Sequence, residues 1–328
     1  MPIRTIHVGA WSRGRAHMGP MMKSGHFQPV ALVDVRDDYL EQGRELCKLP
    51  KEACHHTLTA ALDRHDCDAV AVVTPVTIHT PFILEALRAG KHVMVEKPFC
   101  VSLAEAKEAV NLADTKKVAL LVTQNDRLAP AYRTLRRLVA DEVYGPAGYA
   151  LLSHHKPRRG PYNMSPHMHL WQQGIHQLDT LLAVVQNPIR HVMGVSVEPG
   201  WGTWPTPSLA HAVIEFEGGV TASYIGTSQA RHNDVQFIVA CRDGALTTTG
   251  QFTSATLQLR VGTDVTPVES DAAPNGMTPE EQITEMFYRQ ISKGESNEIT
   301  GRNNLKSMAL VDAIVRSSET HSVTTLDL

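Results

Sequence analysis

No apolar run in this chain approaches the ~20 residues that a transmembrane helix requires, which excludes a helical membrane span. A surplus of charge of one sign is also missing. With 31 Lys and Arg against 34 Asp and Glu, the formal charge is -3, which gives no electrostatic reason to expect a nucleic acid or an anionic membrane as partner. Cysteine is sparse and scattered, at 47, 54, 67, 100 and 241. Such spacing makes no disulfide framework and points to a reducing, cytoplasmic setting. Cys54-His55-His56 has no paired CxxC to complete a zinc motif. A strand-like segment begins at Arg4, so no signal peptide is expected. Internal repeats and low-complexity tracts are missing too.

What is present is an ordinary globular composition, 42% hydrophobic and 20% charged, over a length that suits about two domains. Strand-like runs at 5–8, 30–33, 69–73, 92–95 and 119–123 alternate with helical patterns that include 81–89 and 103–114. Ser102 with Glu105 three residues on is a capping-box signature for the second of these helices. The runs are rich in Val and Ala and apolar without alternation, as strands buried on both faces are. The expectation for residues 1–123 is a doubly wound parallel α/β domain. Residues 124–328 change character. Helical patterns at 131–141, 170–185, 279–292 and 303–317 accompany strands at 149–153, 189–197, 211–216, 220–225, 235–241 and 255–261, with a last one near 322–326. Glu217-Gly218-Gly219 and Arg242-Asp243-Gly244 read as hairpin turns. This half is expected to be α+β with a largely antiparallel sheet.

Glu96-Lys97-Pro98-Phe99 closes the apolar run after Gly90. It places a carboxylate and an ammonium at the carboxyl end of a strand, the edge where α/β sheets bind ligands. The first strand runs into Gly9-Ala10-Trp11-Ser12-Arg13-Gly14. A dinucleotide fingerprint wants G-x-G-x-x-G at that point. Gly9 and Gly14 hold the first and third places. Trp11 holds the second, where its side chain must push the phosphates outward or turn away. Asp34 ends the second strand, twenty residues after Gly14, where a carboxylate accepts from a ribose diol and repels a 2′-phosphate. NAD is therefore expected over NADP, with Arg36 placed to soften the preference. The alternative is that Asp34 merely caps the next turn.

Gly9–Gly14, Asp34, Thr74-Pro75 with His79, Glu96-Lys97-Pro98 and Gly174-Ile175-His176-Gln177-Leu178-Asp179 occur in the order seen in the Gfo/Idh/MocA family, which the chain resembles along essentially its whole length. That family comprises NAD(P)-dependent oxidoreductases of sugars, inositols and related polyols. The resemblance implies a Rossmann domain over 1–123 and a substrate-binding and oligomerisation domain over 124–328 with an open, mainly antiparallel sheet. The late helices would pack back on the first domain, the active site would lie in the cleft between the two, and pairing of sheets would give a homodimer or homotetramer. It also implies that Thr74 and Pro75 line the nicotinamide side, with His79 nearby, that Ser12 and Arg13 belong to the cofactor loop, and that Glu96 and Lys97 flank nicotinamide and substrate.

Hydride transfer from a secondary alcohol needs a proton acceptor at the hydroxyl. His176 suits that role, since imidazole titrates near neutral pH. Lys97 suits the developing alkoxide. One departure stands out. The family often carries an aspartate four residues before the histidine, and here that residue is Gln172, which brings no charge. Asp179, three residues after His176, shares its helical face. Arg127 and His155 are placed as substrate contacts. Arg127 reads equally well as a surface ion-pair partner, and His155 as a pocket or surface residue. Of seventeen histidines, His154, His155, His167, His169 and His176 fall close together, as a polar wall for a sugar would. No ligand spacing supports a metal there. Besides a dehydrogenase, two further functions fit the chain. One is a redox-neutral enzyme that cleaves a glycoside or forms an epimer through a keto-sugar on a recycled NAD. The other is a non-catalytic NAD or sugar sensor, against which the retention of Lys97 and His176 argues.

Overall fold

The computed structural model describes residues 1–158, 166–250 and 252–328. Its chain divides into one unit of residues 1–124 and 277–305 and a second of residues 125–276 and 306–328.

In the first unit, β1 (Ile3–Val8), α1 (Ser12–Lys23), β2 (Phe27–Val33), α2 (Asp37–Cys47), β3 (Cys54–His55), α3 (Leu58–Arg64), β4 (Ala69–Val72), α4 (His79–Arg88), β5 (His92–Val95), α5 (Leu103–Lys116) and β6 (Leu120–Val122) follow one another. The strands form a parallel sheet ordered β3-β2-β1-β4-β5-β6. Every residue of β4 and β6 is buried, which is why these runs carry no polar alternation. The order reverses at β1, so the loops after β1 and β4 diverge to opposite sides and leave a crevice at the carboxyl edge. The Ser102 hydroxyl accepts from Glu105 N at the start of α5. The Glu105 carboxylate, however, takes the Thr80 hydroxyl at 2.7 Å and so makes a tertiary contact with α4. The described capping box is Thr278 with Glu281, at the start of the late helix α8 (Pro279–Lys293). That helix belongs to this unit, where Phe287 stacks on Phe27 at 5.8 Å. Ile299 O accepts from Val122 N, and Thr300 bridges to Leu121, so edge strand β6 is covered.

The second unit holds α6 (Pro130–Ala140), β7 (Ala147–Pro157), α7 (Ile175–Val184), β8 (Ile189–Val197), β9 (Leu209–Phe216), β10 (Thr221–Thr227), β11 (Gln229–Cys241), β12 (Gly244–Thr249), β13 (Thr256–Val261) and β14 (Asp264–Val268). The sheet is ordered β14-β13-β12-β11-β7-β10-β9-β8. Its neighbours are antiparallel except for β7 and β10, whose connection passes through α7, β8 and β9. Strands β8 to β10 alternate buried and exposed positions, which leaves an open face with Tyr149, Met193, Val195 and Val213 exposed. The segment before α7 lies on the other face, where His169 bonds Tyr224 and Ser228. The strand expected near 322–326 is reduced to one bridge, Thr324 with Val192. Helix α9 (Gly301–Thr320) begins in the first unit and continues in the second.

Candidate active site

At the carboxyl edge of the first unit's sheet, Gly9 follows β1 at φ +96, and a Cβ there would lie 2.2 Å from the Val73 carbonyl oxygen. A Cβ on Gly14 would lie 2.0 Å from the Gly9 carbonyl oxygen. Both positions therefore exclude a side chain through close backbone approach. Trp11 needs no such freedom, because its backbone is extended (φ -82, ψ 177). Its indole is 61% exposed and stacks on Tyr39 of α2 at 5.9 Å and 18°. The Arg36 guanidinium lies 4.2 Å from the same Tyr39 ring and is gripped by both oxygens of Asp38, at 2.9 and 2.7 Å. Asp34 accepts from Ala10 N at 2.8 Å through one oxygen and from Arg36 N at 3.1 Å through the other. Asp34 thus ties the glycine loop to the end of β2 and keeps lone pairs for a further donor. A glycine cradle, an acceptor at the end of β2 and an exposed aromatic surface beside it fit a dinucleotide. Ser12 opens α1 at the surface.

Arg13 from α1 places Nε 3.0 Å from Glu96 Oε1 and reaches Glu280 at 3.6 Å. Its charge is spent on carboxylates. Glu96, 6% exposed, also faces His17 Nε2 at 3.3 Å. Burial alone would raise the Glu96 pKa. The His17 hydrogen bond and the charges of His17, Lys97 and Arg13 outweigh burial and hold it below the usual carboxylate range. Lys97 follows, half-buried, between this anion and Pro98. His79 is 1% exposed. Its Nδ1 faces the Pro98 carbonyl at 2.9 Å, and its Nε2 faces the Thr74 carbonyl at 2.7 Å. Burial lowers its pKa against the pull of those two carbonyls. The ring is therefore a strut between the loop that starts at Thr74-Pro75 and the Lys97 loop.

In the second unit, residues Leu170–Gly174 form a π-helical turn that runs into α7. Wider turns of this kind often mark functional sites. Gly174 faces the Tyr224 hydroxyl, which a Cβ would approach at 3.1 Å, and a Cβ on Gly226 would come within 2.1 Å of the same oxygen. The two glycines leave room for a buried chain in which His169 Nε2 meets Tyr224 Oη at 3.0 Å and His169 Nδ1 meets Ser228 Oγ at 2.9 Å. Burial, reinforced by His154 and Arg158, lowers the His169 pKa to about 3, so the ring is neutral.

His176 lies on α7 with Nδ1 3.6 Å from Asp126 Oδ1. The Asp126 carboxylate comes from the short turn after β6. Gln172 lies within this π turn, four residues before His176. Asp179 pairs with Arg127 at 2.9 Å, accepts from Ser307 Oγ at 2.7 Å, and lends its main-chain carbonyl to Arg127 at 3.0 Å. Arg127, expected as a substrate contact, thus forms a buried ion pair with Asp179. His155 is separated from them by strand alternation. It sits on the open face with Tyr149, Leu151 and Ser153, stacked on His232 at 5.1 Å. The opposite face of β7 presents His154 and Lys156. The Lys156 pKa is lowered by burial and by Arg158, while Asp126 opposes. Arg158 donates to Gln173 Oε1. Asp126, Lys156 and Arg158 were not among the expected site residues. The sequence signal available for Lys156 was the two-residue alternation of β7 continuing beyond Ser153.

Residues 3–124 match the family described as oxidoreductases with an NAD-binding Rossmann fold. Residues 132–247 match the GFO/IDH/MocA C-terminal domain. A 1,5-anhydro-D-fructose reductase of Ensifer adhaerens is 26% identical over 271 residues, 78% of each chain. The aldose-aldose oxidoreductase of Caulobacter crescentus superposes with a TM-score of 0.89 at 20% identity, over 99% of this chain and 100% of that one. The WlbA dehydrogenase of Bordetella pertussis, solved with NADH and UDP-GlcNAcA, gives 0.85 at 19% identity over 100% of both. With both of its characteristic domains matched in sequence, the chain is a member of the Gfo/Idh/MocA family of oxidoreductases.

Proposed function

We propose that this enzyme transfers a hydride between a secondary alcohol of a sugar, sugar derivative or cyclitol and NAD. The observation that carries the reading is a single sheet edge that gathers the glycine cradle, Asp34 and Lys97. Bound nicotinamide supplies the hydride acceptor. His176 takes the hydroxyl proton, and Lys97 donates to the oxygen as alkoxide charge develops. Glu96 keeps Lys97 beside a fixed negative charge, which favours the ammonium form that such a donor requires. NAD is favoured over NADP because the Asp34 carboxylate faces the ribose position, and the nearby cation Arg36 is already held by Asp38. The reading includes a homodimer or homotetramer built on the open sheet face, in a cytoplasm that keeps the five cysteines as thiols. The test is NAD(H) binding by purified protein, followed by NADH formation across a sugar and polyol panel. Failure to bind either dinucleotide sinks the reading. Turnover of a glycoside on retained NAD, without net NADH, would replace it with redox-neutral chemistry.

Trp11 gives a sharper check on the cofactor. An exposed indole next to Asp34 is a stacking surface for adenine, and such stacking contributes about 1–3 kcal/mol per base. Trp11→Ala is expected to raise the dissociation constants of NAD and ADP-ribose about tenfold and to leave that of nicotinamide mononucleotide unchanged. Calorimetric titration of all three ligands checks this. Equal weakening of all three would mean that the substitution had disturbed the glycine loop instead.

A further inference from the structure

The family's helix aspartate is replaced by Gln172, yet His176 is not left without a carboxylate. Asp126 opens the short turn Asp126–Leu128 after β6 and brings Oδ1 to 3.6 Å from His176 Nδ1. Both side chains are largely withdrawn from water, at 25% and 10% exposure, so solvent screens their attraction only in part. Arg127, next in sequence to Asp126, is neutralised by Asp179. Lys156 of β7 feels Asp126 as a favourable neighbour. The Tyr132 hydroxyl of α6 is raised by burial and by Asp126, and is neutral at any working pH.

We propose that Asp126 is the positioning carboxylate of His176, acting from the loop after β6 in place of the aspartate that Gln172 displaces. The inference rests on the dehydrogenase reading only in making His176 the base. A proton held on Nδ1 and aimed at Asp126 makes Nε2 the unprotonated, basic nitrogen. The alcohol proton then moves to Nε2, a bound nicotinamide would supply the acceptor for the hydride that leaves the carbinol carbon, and the imidazolium so formed is countered by Asp126.

The test reads the histidine directly. In protein carrying 13C-labelled histidine, with the His176 signal assigned by its loss in His176→Asn, Asp126→Asn is expected to lower the His176 pKa by about one unit. Removing the anion destabilises the imidazolium, which fixes that sign. Adding Gln172→Asp to Asp126→Asn is expected to restore the pKa, and Asp126→Glu to keep it near the wild-type value. The acid limb of kcat/KM for alcohol oxidation should move to lower pH by the same amount, with kcat reduced about 10- to 100-fold. An unmoved His176 titration in Asp126→Asn overturns the proposal, whatever the activity. If Asp126→Asn fails to fold, Asp126→Ser decides on the same readout: a lowered His176 pKa supports the positioning role and an unmoved one overturns it. A shifted titration in a protein that oxidises no polyol would retain the positioning role and discard the dehydrogenase reading.

Discussion

Lys97→Ala is expected to reduce kcat by about 10²- to 10³-fold, the usual consequence of deleting one donor from a developing oxyanion, while NAD affinity stays within about threefold of wild type. The separation of the two effects follows from the geometry. The cradle at Gly9 and Gly14 and the Ala10–Asp34 bond are made without the lysine. Glu96 loses one favourable charge but keeps Arg13 and His17, so its burial stays compensated. Lys97→Arg is not expected to rescue the reaction, because a planar fork and a compact ammonium present their donors differently. Steady-state kinetics with the best substrate, together with NADH fluorescence titration, make the comparison. Turnover within tenfold of wild type would remove Lys97 from the chemistry.

The second large effect concerns stability in mild acid. Burial lowers the His7 pKa to about 3, with a smaller contribution from His17. Burial, then Lys156 and Arg158, lowers His154 to about 4, and His169 lies at about 3. Each histidine binds a proton in the unfolded chain near pH 6.5 that it does not bind when folded. The stability they confer is therefore complete above pH 6.5 and is lost as pH falls from there toward their folded values. At pH 5 each costs about 2 kcal/mol, or about 6 kcal/mol for the three, which rivals the net stability of a typical domain. His79 is lowered in the same direction. Glu96, held low when folded, adds its own loss only below about pH 4.5. Urea unfolding at pH 7.5, 6 and 5 should show a midpoint that falls steadily across a range in which ordinary carboxylates are still ionised. A flat midpoint from 7.5 to 5 would mean that these rings are hydrated in the folded protein.

Local sterics made part of this legible from sequence. Gly9 and Gly14 are required by backbone atoms within a few residues or one strand away, and Lys97 sits where an apolar run must end. Strand periodicity separated an unalternating first sheet from an alternating second one. Residues whose roles depend on distant partners were not legible. Trp11 reads as a defect until Tyr39 and Arg36 are seen beside it. Glu105 reads as half of a cap until Thr80 takes it. His155 and His154 are neighbours in sequence, and only the register of β7 places them on opposite faces. The π turn at Leu170–Gly174 has no compositional signature; what surrounds it is the Tyr224 hydroxyl packed against Gly174. Asp126 lies fifty residues upstream of His176 on another element, so no local spacing ties the two.

The path of the chain carries a consequence for anyone who would cut it. It leaves the first unit after 124, re-enters at 277 and leaves again after 305. A fragment ending at the last residue of the Rossmann-fold match would lose Ile299 and Thr300 from the flank of β6. It would also lose Phe287 from Phe27 and Tyr288 from His26. Such a piece would expose a bare strand edge at β6 and, four strands away at β2, an uncovered aromatic patch, and an unpaired edge is a template from which sheets grow between molecules. The nucleotide-binding half is contiguous as a pattern of letters but not as a foldable object, and a soluble minimal version would have to carry 277–305 back by a linker.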